Sequence, residues 1–200
     1  MGMGDSSTSS IIFLSSHAGT HIDLPRHFCK DRESVRDLLK ASNRFFPTYC
    51  ISCRKGPREM ITPDDIAPYI GKISDAKALL LRTGFSGLRE EDPDAYINDH
   101  PCPDPAIADL LREQCKELQL VGMDLISASL PAQRELGHCC HRSFLCRDRP
   151  ILLLEDAFIP ETGSLGGPFT LSVYPFLVDE LDGVPVIAFL DGIDPPDNSR

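Results

Sequence analysis

The stretch His17-Ala-Gly-Thr-His21-Ile-Asp23-Leu-Pro25-Arg-His27-Phe28 gathers three of the chain's six histidines and an aspartate within eleven positions. Whatever this chain folds into must give those groups partners, because an unpaired buried charge is costly. Gly19, Pro25 and the polar residues mark the stretch as a loop, since helix is disfavoured immediately before a proline. In extended chain, residues an even number apart share a face, so His17, His21 and Asp23 can converge on one ion. Two imidazoles and a carboxylate are borderline ligands suited to zinc or manganese. His27 is then placed to move a proton beside that ion. Gly19 lets the backbone pass close to it, and Thr20 can hydrogen-bond a ligating group. The pattern implies metal-assisted hydrolysis; three unrelated surface histidines are the competing reading.

The rest of the composition narrows the partners. A formal charge of −10 in 200 residues argues against binding a nucleic-acid backbone and favours small substrates and divalent cations. No apolar stretch reaches the roughly 18–20 residues needed to span a bilayer. Residues 1–10 are rich in Gly, Ser and Thr and lack the basic and apolar regions of a secretory signal, so a frayed tail is expected. One domain over 11–192 and a second loose tail over 193–200 follow, in a cytoplasmic protein. Its eight cysteines are then expected as reduced thiols. Cys50-Ile-Ser-Cys53 resembles half of a zinc site, but no second C-x-x-C follows it.

Apolar patterning predicts strands at Ile11–Ser15, Tyr49–Cys53, Ala78–Thr83, Leu120–Asp124, Ile151–Glu155, Phe169–Phe176 and Val184–Leu190. Helices are expected over 33–41, after the Thr62-Pro63-Asp64-Asp65 start signal, after Asp104-Pro105, and over 131–146. Pro160 to Pro168 reads as a flexible loop. Strands alternate with helices in the middle and cluster at the ends, which indicates a mixed α/β (α+β) domain with a mixed sheet.

A second group fits the metal reading. His141 falls in the last predicted helix and Glu155 ends an otherwise apolar strand, where a lone buried carboxylate would be costly. An exposed strand end is the other reading of Glu155. His138, three residues before His141, shares its helix face and is expected at the solvent side. His100 has no assigned role. A nucleophile at Cys139 or Cys140 beside His138 or His141 is a third chemistry, disfavoured because consecutive helical residues face different ways.

The string His17-x-Gly-Thr-His21-x-Asp23-x-Pro25-x-His27-Phe28 resembles the signature of the cyclase family of metal-dependent hydrolases, which includes bacterial kynurenine formamidase and isatin hydrolase. Ala78-Leu-Leu-Leu-Arg-Thr-Gly84, Val121-Gly-Met-Asp-Leu-Ile-Ser127, His141-Arg142, Ile151 to Glu155 and Gly183-Val-Pro185-Val continue the resemblance in order. It implies a swivelling β/β/α fold, a homodimer or homotetramer, and cleavage of an amide, formamide or lactam C–N bond. It also implies one or two Zn2+ or Mn2+ ions: one on His17, His21 and Asp23, and a second, bridged by Asp23, on His141 and Glu155. His27 would be the catalytic acid/base. Family members carry additional residues before the motif and often pocket aromatics there; this chain reaches the motif at residue 17 and has no Trp. A catalytically weakened metal-binding relative is therefore the alternative expectation.

Overall fold

The structure is a computed structural model that describes residues 8–30, 43–159, 166–178 and 180–192. A barrel closes through β1 (His21–Asp23), β7 (Leu152–Glu155), β6 (Leu120–Met123), β4 (Ala78–Arg82), β2 (Arg44–Ser52), β8 (Phe169–Pro175) and β9 (Gly183–Asp191), with β9 returning to β1. β2, β4, β6 and β7 run parallel to one another. β1 is antiparallel to both β7 and β9, and β8 is antiparallel to β2 and β9. The mixed sheet agrees with the expected class. Its closure is the added finding, and it depends on β1, a strand of three residues.

Period-two alternation sorts the strand side chains into two cores. Ala78, Leu80, Leu120, Leu152 and Leu154 point into the barrel, where they meet Ile22, Val173 and Val184. Leu79, Leu81, Val121, Met123 and Leu153 face outward onto helices. This two-sided burial is why the parallel strands read as unbroken apolar runs. The outer layer comprises α1 (Pro63–Ile66), α2 (Ile70–Ile73), α3 (Leu88–Glu91), α4 (Pro93–Asn98), α5 (Ala106–Gln114) and α6 (Arg134–Leu145). It buries Ile66, Ile73, Tyr96, Ile107, Leu111 and Phe144. Asp65 accepts the Thr62 backbone N–H at 2.7 Å at the start of α1, and Asp104 accepts that of Ala106 at 2.8 Å before α5. A separate parallel pair, β3 (Met60–Ile61) and β5 (Cys102–Pro103), lies outside the barrel sheet.

Several expectations need correction. Ile11–Ser15 forms no strand; Ile11, Ile12 and Phe13 are largely exposed and find no ladder to join. The strand is instead inside the histidine segment, because His21–Asp23 is held on both sides by β7 and β9. The expected helix over 33–41, residues 1–7, most of the Pro160–Pro168 loop and the 193–200 tail lie outside the described residues.

The cysteines are not uniformly reduced. Cys29 and Cys146 form a disulfide with Cα atoms 5.7 Å apart, and the other six are free. Their 117-residue separation hid the pair; the fold brings the turn after β1 against the C-terminal cap of α6. Burial pushes the Cys50 thiol up to about 11 and that of Cys53 up to about 12, which disfavours metal-binding thiolates there. Among the described residues, no helix is long and apolar enough to cross a membrane.

Gly122 sits where β6 is squeezed inside the barrel: a Cβ there would lie 2.6 Å from Leu80 Cδ2 and 3.2 Å from Leu154 Cδ2. Gly122→Ala is expected to overpack this core and cost about 1–3 kcal/mol. Thermal unfolding checks it, with a drop of roughly 2–4 °C per kcal/mol; an unchanged midpoint would show that the barrel interior has slack.

Candidate metal centre

The β1–β7 register builds the first half of the site. His21 lies directly across from Glu155 and Ile22 across from Leu154. With Ile22 and Leu154 turned into the barrel, His21, Asp23 and Glu155 share the outer face. Asp23 and Glu155 are 1% and 2% exposed. Glu155 is therefore no exposed strand end. α6 supplies His141, and the loop before β1 supplies His17.

These side chains meet. His17 Nδ1 is 2.9 Å from Asp23 Oδ1, and His21 Nε2 is 3.3 Å from the same oxygen and 3.5 Å from Glu155 Oε2. His141 Nε2 lies 3.2 Å from Asp23 Oδ2 and 3.3 Å from Glu155 Oε1. Yet both Asp23 oxygens and His21 Nε2 are buried without an aligned hydrogen-bond partner. The atoms are close without pointing at each other, which is how donors look when they aim at a shared point between them.

The far side of each ring strengthens this. His21 Nδ1 donates to the Gly19 carbonyl at 2.8 Å, and His141 Nδ1 donates to the Gly137 carbonyl at 2.7 Å. A carbonyl only accepts, so Nδ1 carries a proton whether or not the ring is charged, and once the ring is neutral its lone pair lies on Nε2, toward the carboxylates. This is the orientation a metal-ligating histidine needs. Glu155 is steadied by the Ala128 backbone N–H at 2.7 Å. Two groups of ligand atoms, His17/Asp23/His27 and His21/Asp23/Glu155, each lie within 4.8 Å of one another and share Asp23. The donor set thus fits one divalent cation or a bridged pair.

Charge couples the members of the cluster to one another. Burial disfavours ionised Asp23, yet His141, His17 and His21 hold its carboxyl well below the usual range. Burial and the neighbouring Asp23 push Glu155 up, and the two histidines pull it down overall. Against burial, Asp23 and Glu155 push His21 and His141 up to about 10.

His27 ends a short helical turn, Pro25–His27, and stands beside the cluster, its ring centroid 4.3 Å from that of His17. Phe28 packs edge-on to His27 at 4.5 Å and stacks on His141 at 4.8 Å. His138 is exposed at the rim, as expected, and His100 is fully buried with Nδ1 2.8 Å from the Pro101 carbonyl oxygen, outside both groups of ligand atoms. Cys140 is fully buried, and burial followed by Glu155's charge pushes its thiol far up, the reverse of an activated nucleophile. A cavity of about 370 Å³ opens onto the histidines, with Ser127, Ser129 and Arg134 also on its wall.

Sequence reasoning missed three contributors. Asp182, in the loop before β9, lies 2.9 Å from His27 Nδ1 and 3.2 Å from His17 Nε2. Gly183 lets His17 approach, since a Cβ there would sit 2.4 Å from His17 Cε1. Asp156, at φ +55°, takes Arg89 and Tyr96 on its carboxylate and Thr20 Oγ1 on its carbonyl at 2.8 Å, bracing the strand end that carries Glu155. Only the glycine before Val184-Pro185 carried a local signal; the two aspartates gave none.

Residues 5–129 match the Cyclase family model. The chain belongs to the Cyclase family. This Cyclase member is 31% identical over 184 residues to the kynurenine formamidase of Bacillus anthracis, covering 88% of this chain and 77% of that protein. Its fold is similar to that of a potential metal-dependent hydrolase with cyclase activity (TM-score 0.71, 20% identity, 89% and 80% of the two chains). It is equally similar to isatin hydrolase A from Labrenzia aggregata (TM-score 0.71, 23% identity, 87% and 73%).

The raised pKa values of His21 and His141 set the sign of a pH effect. Below about 10 each ring is protonated in the metal-free protein and must lose a proton to coordinate through Nε2. Affinity for a divalent cation is therefore expected to rise with pH across 6–9, with protons released on binding. Calorimetry in buffers of different ionisation enthalpy counts them. Uptake of metal with no proton release would contradict the arrangement.

Proposed function

We propose that this Cyclase-family protein hydrolyses an amide, formamide or lactam C–N bond of a small molecule with the help of a divalent cation. What carries the proposal is the convergence of His21 Nε2 and His141 Nε2 with the Asp23 and Glu155 carboxylates, each ring turned by a backbone carbonyl at Nδ1. Likeness to a kynurenine formamidase and to the fold of an isatin hydrolase supports it. His17, His21, Asp23, His141 and Glu155 would hold one or two divalent cations, Zn2+ or Mn2+. When bound, such a cation polarises the substrate carbonyl and lowers the pKa of a water from about 15.7 to about 7.

The chain's own residues do the rest. His27 takes the proton of the attacking water and returns it to the leaving nitrogen, a role worth typically about 10²–10⁴-fold. Phe28, packed on both His27 and His141, limits ring rotation and keeps bulk water from that side. The cavity of about 370 Å³ suits a compact substrate.

The proposal includes a homodimer or homotetramer and a cytoplasmic location. Supporting the first, Tyr174, Ile187 and Phe189 of β8–β9 and Phe176 just after β8 are exposed, and Ile12 and Leu14 line a cavity with Tyr174, Phe176 and Ile187, more apolar surface than a lone subunit usually presents. The location rests on the six free cysteines, and the Cys29–Cys146 disulfide speaks against it.

The test pairs metal analysis with hydrolysis of N-formylkynurenine, isatin and simple lactams. His27→Ala is expected to lower turnover by about 10²–10⁴-fold with metal content retained, and Asp23→Ala to lose both. Wild-type rates in His27→Ala would remove its role, and bound metal with no turnover across the panel would contradict the hydrolase reading. Light scattering is expected to give a mass of two or four chains; a monomer at micromolar concentration would contradict the assembly.

A further inference from the structure

Asp182 lies outside the histidine motif by 155 residues, yet one of its oxygens sits on His27. The contact between Asp182 Oδ2 and His27 Nδ1 is an aligned hydrogen bond of 2.9 Å. The same oxygen is 3.2 Å from His17 Nε2, but that nitrogen has no aligned partner, so the carboxylate is committed to His27. Two further contacts fix Asp182 itself: Ser16 Oγ donates to Oδ1 at 2.9 Å, and the Leu24 backbone N–H donates to the Asp182 carbonyl at 3.1 Å. The loop before β9 is thereby sewn to both flanks of the histidine segment.

We propose that Asp182 is the positioning residue of His27: its carboxylate accepts the Nδ1 proton and so leaves the Nε2 lone pair as the basic nitrogen. The inference rests on the reading of His27 as the proton-transfer group. An acceptor-only carboxylate selects one of the two neutral tautomers and holds the ring plane, the task a buried aspartate performs for the histidine of a serine-protease triad. Asp182 also stabilises the imidazolium that forms while His27 holds the water's proton. That proton arrives on Nε2 and leaves from Nε2 to the departing nitrogen, while the Nδ1 proton stays in its bond to Asp182 throughout.

Two readouts test this on the full chain. In protein labelled with ¹⁵N-histidine, wild-type His27 is expected as the Nδ1–H tautomer, and Asp182→Asn is expected to populate the Nε2–H form. In kinetics, Asp182→Asn should lower kcat by about 10²-fold or more while KM and metal content stay near wild type. Asp182→Glu should restore part of the rate. Adding Asp182→Asn to His27→Ala should change nothing further. An Nε2–H tautomer in the wild-type protein, or an unchanged one in Asp182→Asn, would overturn the proposal. So would loss of metal together with rate, or a further rate loss in the His27→Ala background. If wild-type protein hydrolyses none of the substrates, the hydrolase reading fails, while the tautomer measurement still decides the role of Asp182.

Discussion

Two carboxylates buried side by side, Asp23 and Glu155, are the constraint around which this protein is organised. Neither could stay ionised there alone, and each raises the cost of ionising the other. The fold answers by surrounding them with three imidazoles and the Ala128 N–H, with a ring nitrogen of each imidazole turned toward the carboxylates. A divalent cation at that point would neutralise both acids while the histidines gave up their protons. The β1–β7 register, the packing of α6 and the glycine at 183 each serve this convergence.

The barrel separates support from chemistry by strand parity. Ile22 and Leu154 hold β1 and β7 from inside, so their neighbours His21, Asp23 and Glu155 are presented outside without movement of the core. The Cys29–Cys146 disulfide joins the turn that carries His27 to the end of the helix that carries His141. Phe28 fills the space between the same two histidines. His27 and the histidine–carboxylate cluster are therefore braced against each other twice, once covalently and once by ring packing.

How much of this was legible in the sequence depended on distance along the chain. His17, His21, Asp23 and His27 stand close enough for their spacing to state a geometry, and the apolar runs announced β4, β6 and β7. From the pattern alone, without the family resemblance, Glu155 was a charge ending such a run, and its burial came from pairing with β1. The strand inside the histidine segment was hidden because three residues carry too little periodicity, and their order comes from ladders on both sides. Ile11–Ser15 had the apolar content of a strand and no edge to join. Asp182, Asp156 and the cysteine pair act across 117 to 166 residues, where local pattern says nothing about contact.

Anomalous diffraction from crystals grown with Mn2+ or Zn2+ tests the central claim most directly. A peak coordinated by His21, Asp23, Glu155 and His141, with or without a second peak beside His17, is expected. A metal-loaded crystal with those side chains hydrogen-bonded to one another and the ion bound elsewhere would contradict it.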